Sequence, residues 1–271
     1  MKLTKIFLVI FIILLFIPLY WMLLGSLQDI HGVMHMPPRL IPSNPNLDNY
    51  IYLLKGNSLL WLKNTLIVVL GTIVLSVFLS LSAGYSFSVF TFRLKKYVWL
   101  AYLFGMMIPR ISLLIPLYVI VKELGLSGSI PAVIFPVVFT PMGIYLAKNY
   151  FDSIPKSILE SARMDGASEW QILYHIVAPI SKPIISALSL FSGIGALQDY
   201  VWQMLVLQKE ERQTLLVGLM RTAMLRSGTD TYINPVGRSF AVGILLFLPL
   251  LIIFLVANRY FVESLGGAIK E

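Results

Sequence analysis

Cysteine is absent from the 271 residues of this sequence, and charged residues make up only 13% of them. Without cysteine, the chain has neither a disulfide framework nor a thiolate metal site. A soluble domain usually carries about 25% charged residues, whereas 58% of this sequence is hydrophobic and its mean hydropathy is +0.82. We therefore expect an integral membrane protein.

The usual signals of an enzyme or a cofactor site are also missing. There is no G-x-x-x-x-G-K-[ST] motif for binding ATP, and no nucleophile–base signature. His31 and His35 are four residues apart, but Gly32 lies between them and no acidic residue completes a zinc site. We expect a chain that is not an enzyme and binds no metal or cofactor of its own.

The net charge of +8 does not indicate nucleic-acid binding, because the basic residues are spread between apolar runs instead of forming one stripe. Lysine and arginine are typical of cytoplasmic loops and of contacts with lipid headgroups. Over the whole chain, the cations of alternate loops nearly balance. The short loop TFRLKKY at 91–97 has cations but no acid, so it favours cytoplasmic N and C termini.

Six segments approach the roughly 20 apolar residues that one bilayer crossing needs. They are residues 6–24, 66–83, 98–121, 130–147, 180–197 and 240–257. The first is longer than the apolar core of a signal peptide, which has about 7–15 residues, and no A-x-A cleavage site follows it. We expect an all-α membrane protein with six transmembrane helices, forming a single domain over residues 1–271.

This topology leaves two long outer segments, 25–63 and 198–238, and one long cytoplasmic loop, 148–179. The outer stretch MPPRLIPSNPNLDNY is rich in proline and asparagine, which predicts ordered turns over the membrane surface.

The cytoplasmic loop carries the signals of two short helices. Pro155 suits a helix start, and Gly166 stands where a helix often ends in a left-handed residue. Ser168 and Gln171 fit a capping box for a second helix, which runs to Pro179. On composition alone, the pair would be amphipathic helices lying on the lipid headgroups.

The spacing within this loop also resembles a known motif. ESA at 160–162 is followed after three residues by Gly166, and after nine more by IVAP at 176–179. This is similar to the EAA-x3-G-x9-I-x-L-P motif of permease subunits of binding-protein-dependent ABC importers. It departs at Ser161, where the motif has alanine, and at Ala178, where it has leucine.

The resemblance extends over most of the chain outside 208–234. The segments PPRLIP…NLDNY, WLKNTLIV, MMIPRISLLIPLY and LGLSGSIPAVI look like the second permease of the carbohydrate-uptake importers. The C-terminal RYFVESLGGAIKE resembles the ending of the same proteins, with Ser264 where glycine is common.

The resemblance implies an ABC importer type I permease fold and a division of labour among subunits. A homologous permease would pair with this chain, and two ATP-binding-cassette subunits would bind ATP and Mg and drive transport. An extracytoplasmic solute-binding protein would deliver a carbohydrate. The complex would lie in the cytoplasmic (inner) membrane of a bacterium or archaeon and work by alternating access.

The loop at 148–179 would then be the coupling helix, lodged in a groove of an ATPase subunit. Its candidate coupling residues are Glu160, Ser161, Ala162, Asp165, Gly166, Ile176 and Pro179. Glu160 is the expected salt-bridge partner of a basic ATPase residue, and Gly166 would let the two helices bend. The tail at 264–271 would either reach the ATPase dimer or be an ordinary frayed terminus.

Small residues form one face of the fifth predicted span: Ser189, Ser192, Gly193 and Ala196. Such a face indicates close helix packing or the lining of a pore. Beyond it, the amide, carboxylate and aromatic groups of Gln198, Asp199, Tyr200 and Trp202 suit a sugar. The alternative for these four is an interfacial aromatic belt. The family pattern Trp-Asn-x-Phe-Leu is not kept at this place.

Arg110 is the one charged residue deep inside a predicted span. A straight helix would place it roughly 20 Å from Tyr97, near the middle of the membrane. Three interpretations remain: lining of the pathway, an ion pair within the complex, or snorkelling to the surface. Pro109 and Pro116 predict a kinked helix here.

Other classes of transport protein fit less well. A secondary transporter would need intramembrane acids or interrupted helices repeated in two halves, and the predicted spans contain no aspartate or glutamate. A membrane-embedded enzyme would need clustered histidine or acidic residues at membrane depth. Within the ABC importers, the alternative substrate is a glycerol phosphate-type solute, for which Arg110 would be the anion ligand.

Overall fold

The computed structural model describes residues 2–35, 41, 42, 44–224 and 234–268, and every regular element in these ranges is helical. The α-helices are α1 (Lys2–Ser26), α2 (Ile30–Val33), α3 (Asp48–Leu54), α4 (Ser58–Val89), α5 (Lys95–Gly105), α6 (Leu114–Glu123), α7 (Ile130–Val138), α8 (Pro141–Asp152), α9 (Lys156–Met164), α10 (Glu169–Ile180), α11 (Lys182–Gln198), α12 (Tyr200–Val206), α13 (Leu215–Met224) and α14 (Pro235–Ala268). A π-helical turn occupies Ile172–Val177 within α10, and 3-10 turns cover Arg110–Leu113 and Glu210–Arg212.

Two of the described helices are long and apolar enough to cross a membrane alone, namely α4 and the Pro235–Ile252 part of α14. Three bent pairs also qualify if each pair counts as one crossing: α5 with Arg110–Glu123, α7 with α8, and α10 with α11. α1 adds a shorter apolar stretch, Ile10–Ser26. Length and composition thus give up to five crossings in the described residues, and the total of six stays a prediction.

The predicted span 98–121 is not one continuous helix. α5 ends at Gly105, the next turn begins at Arg110, and the two helices make an angle of 96°. Pro109 precedes that turn with an extended backbone, so the expected proline kink is a complete break. Pro116 falls in the first turn of α6, where a missing N–H group is tolerated.

Two further bends lie at prolines. The predicted span 130–147 bends by 45° between α7 and α8, and α11, which matches the predicted span 180–197, meets α10 at 86°. Pro141 and Pro183 stand in the first turns of α8 and α11. Because proline disfavours a helical conformation in the residue before it, Thr140 is extended and α7 ends ahead of it. Lys182, which precedes Pro183, already belongs to α11, so the second bend lies at Ser181.

One compact unit comprises residues 1–63 and 213–251. Its core consists of Leu53, Trp61, Leu215, Leu219, Ala223, Ala241 and Val242. The side-chain amide of Asn49 donates to the carbonyl oxygens of Ser26 and Gln28 at 2.9 and 3.0 Å. These bonds fix the chain after α1. Asn49 itself lies in α3, so the end of the predicted turn-rich stretch is helical, and turns over the membrane surface stay a prediction.

Parts of the two outer segments, 36–40, 43 and 225–233, lie outside the described residues, and so does the end of the predicted tail, 269–271.

The second compact unit comprises residues 64–212 and 252–271. Its core lies beside the predicted coupling loop and consists of Leu81, Tyr85, Ala147, Phe151, Ile154, Leu159, Ala162, Ile172, Leu173, Val177, Ile184 and Leu188. Gly84 brings α4 close to α8, because a Cβ atom there would lie 2.6 Å from that of Ala147. The loop is therefore packed onto the end of α4 instead of lying apart from it.

Candidate functional site

The turn between the two loop helices has the conformation expected from its glycine. Gly166 has φ +82°, which costs a glycine little and other residues more. Its N–H donates to the carbonyl of Arg163 at 3.0 Å, and the N–H of Ala167 donates to that of Ala162 at 3.1 Å. This pair of bonds is a Schellman motif, and it confirms the predicted end of α9.

The start of α10 also confirms its prediction. The Ser168 hydroxyl accepts from the Gln171 N–H at 3.4 Å, and the Gln171 side-chain oxygen accepts from the Ser168 N–H at 2.8 Å. Both bonds of the capping box are thus present. The π-helical turn at Ile172–Val177 was not predicted, because the apolar spacing there fits an ordinary helix.

Burial divides the predicted coupling residues into two groups. Glu160, Ser161, Asp165, Gly166 and Pro179 are exposed. Among the residues that the structure describes, Glu160 has no ion-pair partner. This leaves its carboxylate available to another protein.

The other two predicted coupling residues face inward. Ala162 is 7% exposed and belongs to the core beside α4, while Ile176 is half-buried against the same core. The methyl group of Ala162 is therefore packed within this chain, and its part in coupling stays a prediction. The large apolar side chains that this loop exposes are those of Met164, Trp170 and Ile158, which are 88%, 57% and 37% exposed.

A charged pair joins the two loop helices across the turn. The Arg163 guanidinium donates to both carboxylate oxygens of Glu169, at 2.8 and 3.3 Å, and the Tyr85 hydroxyl donates to the same carboxylate at 2.6 Å. Sequence reasoning missed Tyr85, since a tyrosine near the end of an apolar span carries no signal of its partner.

This arrangement sets the charge of Glu169. The hydrogen bond from Arg163 holds the pKa of the Glu169 carboxyl below its usual value, and the bond from Tyr85 acts in the same direction. Since the pKa is lowered in the folded protein, the interactions stabilise the loop above the ordinary pKa of glutamate. The stabilisation is lost as pH falls through the lowered value, so the pair is intact at neutral pH.

Arg110 forms an ion pair with Asp199, with 2.5 Å between guanidinium nitrogen and carboxylate oxygen. Both residues stand at helix breaks, Arg110 after the bend that follows α5 and Asp199 between α11 and α12. The straight-helix depth estimated from Tyr97 does not apply, because α5 ends at Gly105. Of the three interpretations of Arg110, the structure shows the ion pair, and both of its partners belong to this chain.

Arg110 also borders a cavity of about 500 Å³. The rest of the lining consists of Gly105, Met106, Ile108, Leu113, Pro116, Leu117, Ile120, Pro136, Val137, Phe139, Thr140, Pro141 and Met142. The Arg110 side chain is 55% exposed and that of Asp199 is 14% exposed. The cavity therefore has apolar walls and a guanidinium group whose charge is already balanced.

The other residues predicted around Asp199 differ in their exposure. Gln198 is exposed and Tyr200 is half-buried. Trp202 is fully buried, and its indole N–H donates to the carbonyl of Ala132 at 3.2 Å. Stacking of Trp202 on a sugar, and its place in an interfacial aromatic belt, are both wrong because the ring is packed inside this unit.

The small-residue face of α11 is mostly buried. Ser192, Gly193 and Ala196 are buried, and Ser189 is half-buried. The hydroxyls of Ser189 and Ser192 donate to carbonyls one turn back, at 2.8 and 2.7 Å. Hydroxyl groups satisfied by their own helix favour packing over pore lining.

Groups of three or more histidine, cysteine, aspartate or glutamate side chains that could hold a metal ion do not occur in the described part of the chain.

Comparison with known proteins gives the context of this geometry. The Arabinooligosaccharides transport system permease protein AraQ of Bacillus subtilis (strain 168) is 30% identical, over 99% of this chain and 95% of the relative. The Galactooligosaccharides transport system permease protein GanQ of the same organism is 33% identical, over 92% and 89%.

A solved structure has the same fold. It is the crystal structure of a bacterial ABC transporter involved in the import of the acidic polysaccharide alginate, with a TM-score of 0.83 and 24% identity over 96% of this chain and 95% of the other. The sequence profile of one family matches residues 76–266. The chain therefore belongs to the family of binding-protein-dependent transport system inner membrane components.

Proposed function

We propose that this chain is the membrane-spanning permease subunit of an ATP-driven importer for an oligosaccharide without net charge. The names of relatives that match nearly the whole chain support a carbohydrate: arabinooligosaccharides and galactooligosaccharides are what those relatives transport. The observation that carries the absence of net charge is the Arg110–Asp199 ion pair beside the cavity.

The ion pair bears on the charge of the cargo. A phosphate or carboxylate at Arg110 would have to displace the Asp199 carboxylate, which already holds the guanidinium group. A sugar hydroxyl can instead accept from the remaining guanidinium N–H groups without separating the pair. A glycerol phosphate-type solute is therefore the less favoured substrate, although its headgroup would suit an unpaired arginine.

The loop at 148–179 would couple this cavity to the ATPase subunits. Its exposed Glu160, Met164 and Trp170 combine a charge with two apolar side chains, as expected of a surface that docks on a soluble partner. The partner would be an ATP-binding-cassette subunit that holds ATP and Mg. ATP binding must favour one orientation of the cavity by differential interaction free energy, which is the basis of alternating access.

The full assembly would contain this chain, a homologous permease, two ATPase subunits and an extracytoplasmic solute-binding protein. Residues 1–271 would form one permease domain with six crossings and both termini in the cytoplasm. The outer segments 25–63 and 198–238 would then face the binding protein.

The test uses the whole complex, purified through a tag on this chain and reconstituted in nanodiscs with its binding protein. ATPase stimulation is measured with arabinotriose, galactotriose, maltotriose and glycerol 3-phosphate. We expect at least one neutral sugar to stimulate and glycerol 3-phosphate to have no effect. Stimulation by glycerol 3-phosphate alone would contradict the proposal.

A further inference from the structure

Three polar side chains line one face of α4 at its C-terminal end. Ser82, Tyr85 and Ser88 are three residues apart, which places them above one another on a helix. Each bonds to a different part of the segment that contains the predicted loop. We name these three residues the anchor stripe.

The outer members of the stripe bond to both sides of the loop. The Ser88 hydroxyl donates to the Asp152 carboxylate at 2.7 Å, at the end of α8 where the loop begins. The hydroxyls of Ser82 and Tyr174 are hydrogen-bonded at 3.1 Å, inside α10. The stripe therefore contacts the entry to the loop and its second helix.

The middle member makes the most constrained contact. Tyr85 is 3% exposed, and its ring packs edge-on against Phe90 and Phe151, with centroids 6.0 and 6.2 Å apart. From this packed ring, the hydroxyl reaches the Glu169 carboxylate at 2.6 Å. Since Arg163 holds the same carboxylate, one hydroxyl is connected to both α9 and α10.

Apolar packing alone would hold the loop but not its position along α4. Hydrophobic contacts are non-directional, so a small slide of α9 and α10 would replace one apolar contact by another. A hydrogen bond of 2.6 Å tolerates no such slide, because its strength falls steeply with distance and angle. The hydrogen bonds of the anchor stripe therefore fix the position of α9 and α10 along α4.

We propose that Tyr85 is the positioning residue through which displacement of the coupling loop is passed to α4, with Ser82 and Ser88 holding the two flanks. This inference rests on the proposed coupling function of the loop. An ATPase that pulls on α9 and α10 then moves the end of a membrane-spanning helix together with them. Removal of the Tyr85 hydroxyl lets the loop move while α4 lags behind.

The experiment compares Tyr85→Phe with Tyr97→Phe in the reconstituted complex. Tyr97 is an exposed tyrosine on α5 and serves as the matched control. Assembly yield, basal ATPase and ATPase stimulated by binding protein with sugar are measured. We expect Tyr85→Phe to assemble normally and to lower the ratio of stimulated to basal ATPase by about ten-fold, the effect of one lost hydrogen bond to a charged group.

The ratio separates positioning from mere structural support, since a loss of folded complex lowers both activities equally. Glu169→Gln keeps an acceptor for Tyr85 and should lose less of the ratio than Glu169→Leu. If Tyr85→Phe assembles poorly, the two Glu169 variants alone test the role of Tyr85. An unchanged ratio in Tyr85→Phe, or equal ratios in the two Glu169 variants, would overturn the inference.

A further variant distinguishes this failure from failure of the proposed function. If Gly166→Pro leaves the ratio intact, the loop does not couple and both proposals fall. If Gly166→Pro lowers the ratio but Tyr85→Phe does not, the loop couples by another contact and only the role of Tyr85 is wrong.

Discussion

The second compact unit contains two polar clusters that are built in opposite ways. Around Glu169, Arg163 and Tyr85 meet beside a closed apolar core, and the helices are ended and started by their own caps. Around Asp199, the arginine partner stands at a helix break beside a cavity, and its side chain is more than half exposed. The first cluster is tied to a packed core by Tyr85, although the side chains of Arg163 and Glu169 are 39% and 36% exposed, whereas the second borders open space.

Under the proposed function, the two clusters would have different roles in transport. A cluster fixed by caps, a core and a buried hydroxyl moves as a unit, which suits the transmission of force. The ion pair lies where two helices are interrupted, so the backbone on both sides of it is not part of one long helix. Such a place suits contact with a transported solute. Mutations in the two places should therefore give different phenotypes, uncoupling in the first and altered uptake in the second.

The largest expected effect is that of Gly166→Pro. Proline fixes φ near −65°, whereas Gly166 has φ +82° and uses its N–H in the Schellman motif. We expect ATPase stimulation by binding protein and sugar to fall by more than about ten-fold, in line with the ~3 kcal/mol cost of a misplaced proline. Gly195→Ala is the control, because a Cβ at that position meets no other atom.

Two tryptophans give the next prediction. Trp202→Ala removes a fully buried ring and should cost about 3–5 kcal/mol, which would appear as a clear drop in the melting temperature of the complex. Trp170→Ala removes a ring that is 57% exposed, so the melting temperature should hardly change while ATPase stimulation falls. Equal melting temperatures for the two variants would contradict the assignment of Trp202 as packed and Trp170 as exposed.

The conformation of the predicted coupling loop was largely predictable because its signals are local. Gly166, Ser168 and Gln171 act within one turn of the chain, and each adopted the predicted conformation. The burial of Ala162 was not predictable, because its spacing fits the motif whether its methyl group faces a partner or the core.

The pathway region was predicted less well because its geometry is tertiary. Arg110 and Asp199 are 89 residues apart, and no local pattern joins them. Pro109 predicted a kink, but not whether the helix would bend or end there. The sequence indicated a surface position for Trp202, because burial of its ring depends on helices from elsewhere in the chain that pack against it.

The ion pair itself gives a prediction of intermediate size. Asp199→Leu leaves the guanidinium without its partner, so uptake of a neutral sugar should fall by about ten-fold, near the lower value for a lost hydrogen bond between charged groups, about 1.5 kcal/mol. Arg110→Leu with Asp199→Leu should recover part of the uptake, because neither charge is then left alone. Unchanged uptake in Arg110→Leu, at normal assembly, would remove Arg110 from the pathway.

The smallest expected effect is that of Glu160→Gln, and it tests the exposed side of the coupling loop. An exposed ion pair contributes little, about 0.2–1 kcal/mol, so ATPase stimulation should fall by roughly two-fold. The diagnostic feature is its salt dependence: the difference from the unchanged protein should shrink as ionic strength rises, since screening weakens a pair across a rim. Glu123→Gln, an exposed carboxylate at the end of α6, is the matched control. A two-fold loss that persists at high salt would mean that Glu160 does not act through an exposed ion pair with the partner.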